Sequence, residues 1–92
     1  DDIFPFYDHS RGKTITFMIQ LDDTPGLLSK VLNNVAKAQA NILTIHQTIP
    51  VNKIAMLTLS VEILPQTDDI SQMLKAIEEL DGIHYVKILA RE

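Results

Sequence analysis

The spacing of apolar residues along this chain changes from a period of two to a period of about 3.6 and back, twice. Residues 14–21 alternate between apolar and polar side chains, as a strand buried on one face does. Residues 27–36 then repeat apolar side chains at helical spacing. Further strand patterns cover residues 42–49, 54–63 and 83–90, and a second helical pattern covers residues 70–80. The sequence therefore predicts the order strand, helix, strand, strand, helix, strand.

This order is typical of an α+β fold built from two similar strand–helix–strand halves. Each half forms a right-handed crossover, so both helices cover the same face of one four-stranded antiparallel sheet. Residues 51–53 join the second and third strands as a short hairpin loop. The predicted fold is therefore the ferredoxin-like βαββαβ sandwich.

The length of the chain limits it to one small domain. A division of its 92 residues would leave neither half a workable core. We expect the domain to comprise residues 14–92 and residues 1–13 to be the tail of a preceding segment. Because a domain of this size buries only about 60 to 65% of the surface of its unfolded chain, self-association would add burial. We therefore expect a homodimer or a higher homo-oligomer.

Composition excludes several classes of function. The formal net charge is −4, so the chain offers no electrostatic footprint for nucleic acid or for an anionic membrane. The absence of Cys excludes disulfide scaffolds, Cys-based metal centres and thiol nucleophiles. No apolar run approaches the roughly 18 residues of a membrane span. We expect a cytoplasmic protein with neither a nucleic-acid nor a membrane partner.

Two histidines and two adjacent carboxylates are the obvious candidates for metal or acid–base chemistry. His46 and His84 lie in predicted strands and have neither a local carboxylate pattern nor a third histidine nearby. Asp22 and Asp23 are neighbours, so in extended chain their side chains diverge, which is poor geometry for a carboxylate dyad. We interpret the histidines as structural and the carboxylates as partners of the helix dipole, and expect no metal and no other cofactor.

Residues 22–28, Asp-Asp-Thr-Pro-Gly-Leu-Leu, join the first strand to the first helix and form the candidate site. We expect Thr24 to be the N-cap and Pro25 the first helical residue. A helix N-terminus presents unpaired backbone N–H groups that suit a small carboxylate, and a neighbouring Asp can take an ammonium group. Gly26 leaves the approach to those N–H groups open. The turn suits an amino acid zwitterion, although a well-capped helix with Gly for tight packing explains the same residues equally well.

The run Asp-Thr-Pro-Gly-Leu-Leu-Ser-Lys-Val-Leu at 23–32, followed by Ala-Asn-Ile-Leu-Thr-Ile at 40–45, resembles the ACT domain, a regulatory module that senses amino acids in metabolic enzymes. The resemblance covers residues 14–90. More narrowly, Ile-Phe-Pro-Phe-Tyr at 3–7 with residues 43–50 looks like the small ACT-domain proteins labelled PheB, which carry the family label chorismate mutase.

The resemblance implies that two copies join edge to edge through strand two and the first helix, with an amino acid at the seam. An edge strand exposes backbone groups that pairing with its twin would satisfy. On one subunit the implied ligand contacts are Asp23, Thr24, Pro25, Gly26, Leu27 and Leu28. On the other they are Asn41 and Ile42. The residues expected at the dimer interface are Leu43, Thr44, Ile45, His46 and Ile49.

We therefore predict a non-catalytic regulatory module that binds a small amino acid, with phenylalanine or another aromatic or branched amino acid as the candidate. Two alternatives stay open: a chorismate mutase of aromatic amino acid biosynthesis, and a dimerisation module without a ligand. Chorismate is a dianion whose rearrangement needs positioned cations. The two arginines, Arg11 and Arg91, lie near opposite ends of the chain and the lysines are scattered over different elements. This distribution predicts no cationic pocket.

Overall fold

The computed structural model describes residues 13–48 and 50–92. Their helices and strands are β1 (Lys13–Asp22), α1 (Leu27–Lys37), β2 (Asn41–Gln47), β3 (Ile54–Ile63), α2 (Ile70–Glu78) and β4 (Ile83–Arg91). The predicted α+β class and the predicted order of elements are confirmed. Of the expected tail, only Lys13 lies within the described residues, and it begins β1.

The four strands form one antiparallel sheet in the order β2-β3-β1-β4, as the ferredoxin-like prediction requires. The two central strands pair without interruption from Lys13 opposite Ile63 to Asp22 opposite Ile54. Because β1 and β2 are both antiparallel to β3, they point the same way. The C-terminal end of β2 therefore lies at the end of the sheet where β1 leads into α1, and its first residue, Asn41, lies at the other end.

Both helices pack on one face of the sheet, and the core lies between the two layers. The strand residues that alternate inward and the apolar helix stripes are buried, and no polar side chain of the described residues is buried with them. The buried residues are Ile15, Phe17, Ile19, Leu21, Leu27, Val31, Val35, Ala38, Ala55, Leu57, Leu59, Val61, Met73 and Ile77. Apart from Ala38, which follows α1, these are inward positions that the periods of two and 3.6 predict, whereas Ala36 at the end of the predicted stripe is exposed. Hydrophobic burial is thus the main stabilising term of this fold.

The edge strand β2 departs from the sequence-based prediction. It ends at Gln47, and its register with β3 shifts between Ile42 and Thr44, so Leu43 is an extra residue at a β-bulge. Ile42 is opposite Val61 and Ile45 is opposite Leu59, which places both on the helix-covered side. The bulge therefore interrupts the alternation predicted for residues 42–49, because it leaves Ile42 and Ile45 on the same side of the sheet. Ile49 lies outside the described residues.

Candidate functional site

The turn between β1 and α1 differs from the predicted cap. α1 begins at Leu27, its N-cap is Gly26, and no side chain caps it, so the assignment of Thr24 as N-cap and of Pro25 as a helical residue is wrong. The N–H of Leu27 donates to the carbonyl of Thr24 at 3.1 Å. Gly26 has φ 85° and ψ −12°, the third-position geometry of a type II turn. Pro at the second position and Gly at the third are the residues that such a turn favours, so Pro25-Gly26 closes a turn in place of a cap.

This turn presents polar backbone to solvent. Its exposed residues are Asp23, Thr24, Pro25 and Gly26. A Cβ at Gly26 would meet no other atom within 4 Å, so the space above it is open and the glycine serves the turn conformation, not tight packing. The backbone N–H groups of Leu28 and Ser29 donate to no other described residue. These N–H groups, which have no acceptor among the described residues, lie at the positive end of the α1 dipole.

The two leucines of the predicted site have different surroundings. The side chain of Leu27 is 4% exposed and belongs to the core, and its N–H is occupied by Thr24. Leu28 is half-buried and packs against the edge of the core. Of the pair, only Leu28 has a side chain at the surface near the turn.

Hydrogen bonds from two neighbouring loops hold the turn in place. The N–H of Asp23 donates to the carbonyl of Lys53 at 2.8 Å, and the N–H of Asp22 donates to the carbonyl of Gly82 at 2.8 Å. Lys53 belongs to the β2–β3 hairpin, and Gly82 precedes β4. The turn is thus fixed between the hairpin and the start of β4.

His84 is a residue of this region that sequence analysis did not connect with the turn. Its Nε2 lies 2.6 Å from Oδ1 of Asp22, and both side chains are a little under half exposed. The register of β1 with β4 shifts between Gln20 and Leu21, which leaves His84 as the extra residue of β4. The contact depends on this bulge and on the pairing of two distant strands, neither of which has a local sequence signal. No group of three or more His, Cys, Asp or Glu side chains among the described residues could hold a metal ion.

Asn41 and Ile42 do not meet the turn within one chain. Asn41 pairs with Glu62, which pairs with Thr14 at the start of β1, and the Asn41 amide donates to the Glu62 carboxylate at 3.2 Å. The turn follows Asp22 at the opposite end of β1. At roughly 3.3 Å per residue the two ends are about 26 Å apart. The predicted contacts thus form two separate sets in one subunit.

The outer edge of β2 carries the predicted dimer interface. Leu43 and Ile45 are each 48% exposed, although they are large apolar side chains. Thr44 and His46 are also exposed and lie opposite Ser60 and Thr58, on the sheet face without helices. Among the described strands, β2 pairs only with β3. The edge is therefore open and partly apolar.

The positive charges are less scattered than their sequence positions suggest. Lys75 of α2 with Lys87 and Arg91 of β4 line a groove of about 550 Å³ between these elements. Leu74, Val86 and Ile88 line the same groove, which we call the α2–β4 groove. The packing of α2 beside β4 brings Lys75 and Arg91 to the same groove. Lys87 is opposite Met18, so its side chain belongs to the sheet face without helices.

The family model of the ACT domain matches residues 11–87. A UPF0735 ACT domain-containing protein of Lachnoclostridium phytofermentans is 71% identical over 92 residues, which are 100% of this chain and 63% of the relative. One of the same name from Caldicellulosiruptor saccharolyticus is 46% identical over 92 residues and is covered to 61% of its length. The chain thus spans a little under two thirds of these curated relatives. Their name agrees with the ACT-domain part of the resemblance and does not mention PheB or chorismate mutase.

The ACT domain of the GTP pyrophosphokinase of Chlorobium tepidum has the same fold. It superposes with a TM-score of 0.68 at 20% identity, over 83% of this chain and 96% of that one. Within the described residues, neither helix has the length and apolar character needed to cross a membrane. The match of the family model over most of the chain, the identity to curated relatives and the ferredoxin-like topology agree: the chain belongs to the ACT domain family.

Proposed function

We propose that this chain is a non-catalytic regulatory module that binds an amino acid zwitterion between two copies of itself. The observation that carries the proposal is the type II turn, where the N–H groups of Leu28 and Ser29 have no acceptor among the described residues and Asp23 is exposed. The donors of Leu28 and Ser29 suit the carboxylate of the ligand. Asp23 suits its ammonium group. Because the hairpin and the start of β4 fix the turn, these groups need little reorganisation on binding.

The direction of β2 supports a site shared by two subunits. Antiparallel pairing of two β2 strands about a two-fold axis sets the first residues of one beside the last residues of the other. The last residues of β2 lie at the end of the sheet that carries the β1–α1 turn, and α1 packs beside β2. The partner subunit's Asn41 and Ile42 would then approach this chain's turn. Within one chain the turn lies about 26 Å from Asn41 and Ile42, but in such a dimer the turn of one subunit would lie next to these two residues of the other.

The apolar residues near this seam support a ligand with an aromatic or branched side chain. Leu28 is half-buried next to the turn, and Ile42 and Leu43 lie at the start of β2. Apolar side chains that line a site favour a ligand of the same character, since its burial removes apolar surface from water. We take phenylalanine as the first candidate, because residues 43–50 resemble the PheB-labelled proteins.

Thermal unfolding of the 92-residue chain with each of the twenty amino acids tests this function. A ligand that binds only the folded chain raises the apparent Tm. We expect an aromatic or branched amino acid to do so and Asp23→Asn to weaken its binding about 10- to 100-fold, as the loss of a charge-assisted hydrogen bond would. Asp68→Asn, which makes the same change on the loop before α2, is the matched control. If no amino acid raises the Tm of a dimeric chain, the module only dimerises.

The chorismate mutase alternative has one observation in its favour, the three cations of the α2–β4 groove. That groove is open to solvent, whereas electrostatic stabilisation of this rearrangement needs cations fixed in a site that excludes water. Glu78 also lines the groove and would repel a dianion. We expect no conversion of chorismate to prephenate above the uncatalysed rate. Turnover that Arg91→Ala abolishes would establish the enzyme instead.

A further inference from the structure

The α2–β4 groove lies at the edge of the sheet opposite β2 and has no part in the proposed amino acid site. We propose that it binds an extended acidic segment of another protein, which adds a strand to β4. Among the described strands β4 pairs only with β1, so its outer edge presents unpaired backbone N–H and C=O groups. An extended segment can satisfy these groups by strand addition.

The groove beside this edge offers an apolar floor. Leu74 and Val86 are half-buried, and Ile88 is 37% exposed although its inward neighbours are in the core. On α2, Leu74 follows Ser71 by three residues and precedes Glu78 by four, so these residues form one stripe along the groove. Every second side chain of an added strand would point to this floor. The floor thus favours a segment with apolar residues at alternate positions.

The other positions of an added strand point away from the floor, to the sheet face on which Lys87 lies. Lys75 and Arg91 share the groove with one carboxylate, that of Glu78, and Lys87 is a third cation at this edge of a chain whose net charge is −4. Arg91 is opposite Ile15 and therefore lies on the helix-covered side, and Lys87 is opposite Met18 and lies on the other side. An added strand would meet positive charge on both of its faces. This complementarity favours Asp and Glu between the apolar residues.

The same charges disfavour a second copy of this chain as the occupant. Two β4 strands paired antiparallel about Lys87 would place this lysine opposite its own copy, and like charges directly opposite destabilise a sheet. A lysine on an edge strand also protects it from self-pairing. The cations of this edge thus favour an acidic strand over a second copy of the chain.

Binding of a fluorescein-labelled peptide, Val-Glu-Val-Glu-Val-Glu-Val, to the 92-residue chain tests the proposal. We expect saturable binding that weakens with added salt, since the pairs are exposed. The double variant Lys75→Glu, Lys87→Glu should bind at least ten-fold more weakly. The matched control Lys30→Glu, Lys37→Glu makes the same charge change on α1 and should bind as the parent does. The peptide with Lys in place of Glu should not bind.

The location of binding is checked by amide chemical shifts. We expect the shifts caused by the acidic peptide to concentrate in β4 and α2 and to leave β2 unchanged. Equal binding by the Lys75→Glu, Lys87→Glu variant, shifts confined to β2, or no binding at low salt would each overturn the proposal. Displacement of the peptide by malate at equal concentration would also overturn it, because the groove would then be a site for a small dianion.

Discussion

Gly26 lies within the type II turn and Gly82 accepts a hydrogen bond from Asp22 beside it. Both glycines have positive φ, 85° and 96°, yet their surroundings differ. A Cβ at Gly26 would contact nothing within 4 Å, whereas one at Gly82 would lie 2.8 Å from Cδ2 of Leu27. A substitution at Gly26 therefore strains the backbone without a clash. It alters the turn itself, so Asp23→Asn is a cleaner test of ligand binding than a bulky residue at Gly26.

These surroundings predict different costs for the two alanine variants. Gly26→Ala should lower the free energy of unfolding by about 1 to 2 kcal/mol, the usual cost of a left-handed conformation for a residue with a Cβ. Gly82→Ala should lower it by roughly 1 to 3 kcal/mol more, because Leu27 is in the core and must move. Urea unfolding followed by circular dichroism measures both. Equal losses would contradict the steric contribution at Gly82.

At the scale of elements, the type II turn and the β2–β3 hairpin meet through one hydrogen bond, from Asp23 to the carbonyl of Lys53. The hairpin closes with two bonds between Val51 and Ile54, and its central residues, Asn52 and Lys53, have φ of 54° and 65°. Two positive φ values define a type I′ turn, in which Gly is favoured at the second central position. Lys53 therefore holds a conformation that costs a non-glycine residue free energy, and it presents its carbonyl to the candidate site.

Lys53→Gly should raise the free energy of unfolding by roughly 0.5 to 1 kcal/mol. Glycine relieves the left-handed conformation, and the gain is reduced by the greater freedom of glycine in the unfolded chain. The same substitution at Lys30, inside α1, should lower stability by about 1 kcal/mol, because glycine disfavours a helix. Thermal unfolding of both variants gives the comparison. A destabilised Lys53→Gly variant would mean that the lysine side chain contributes contacts that outweigh the strain.

The elements show which parts of the fold a sequence can predict. The inward residues of β1 and the apolar stripe of α1 follow from periodicity, because burial on one face requires it. The start of α1 was predicted wrongly because Pro25 suits both the first helical position and the second position of a turn, and Gly26 decides between them only through its φ. The bulge at Leu43 and the contact of His84 with Asp22 depend on pairing between distant strands. Neither has a period or a motif that the sequence could reveal.

At the scale of the whole molecule, the two edges of the sheet have different chemistry. Both edges expose large apolar side chains, Leu43 and Ile45 in β2 and Tyr85, Ile88 and Leu89 in β4. The difference is charge, because β4 also carries Lys87 and Arg91, whereas β2 has no Lys or Arg. Net charge and composition gave no sign of this difference, since Lys75 joins Arg91 only when α2 packs beside β4. An edge with apolar residues favours a second copy, and an edge with cations resists one.

This difference predicts that the chain dimerises through β2 and that one charge there prevents it. Light scattering at tens of micromolar, roughly the range of ordinary assays, should give twice the chain mass of 10.3 kDa. Ile45→Asp places a carboxylate on the helix-covered side of the pairing edge, where its partner across the two-fold axis carries the same charge, so we expect a monomer. Ile88→Asp makes the same change in β4 and should leave the dimer intact. A monomeric parent chain would contradict the dimer and with it the site shared between subunits. Dissociation by Ile88→Asp alone would place the interface at β4 instead of β2.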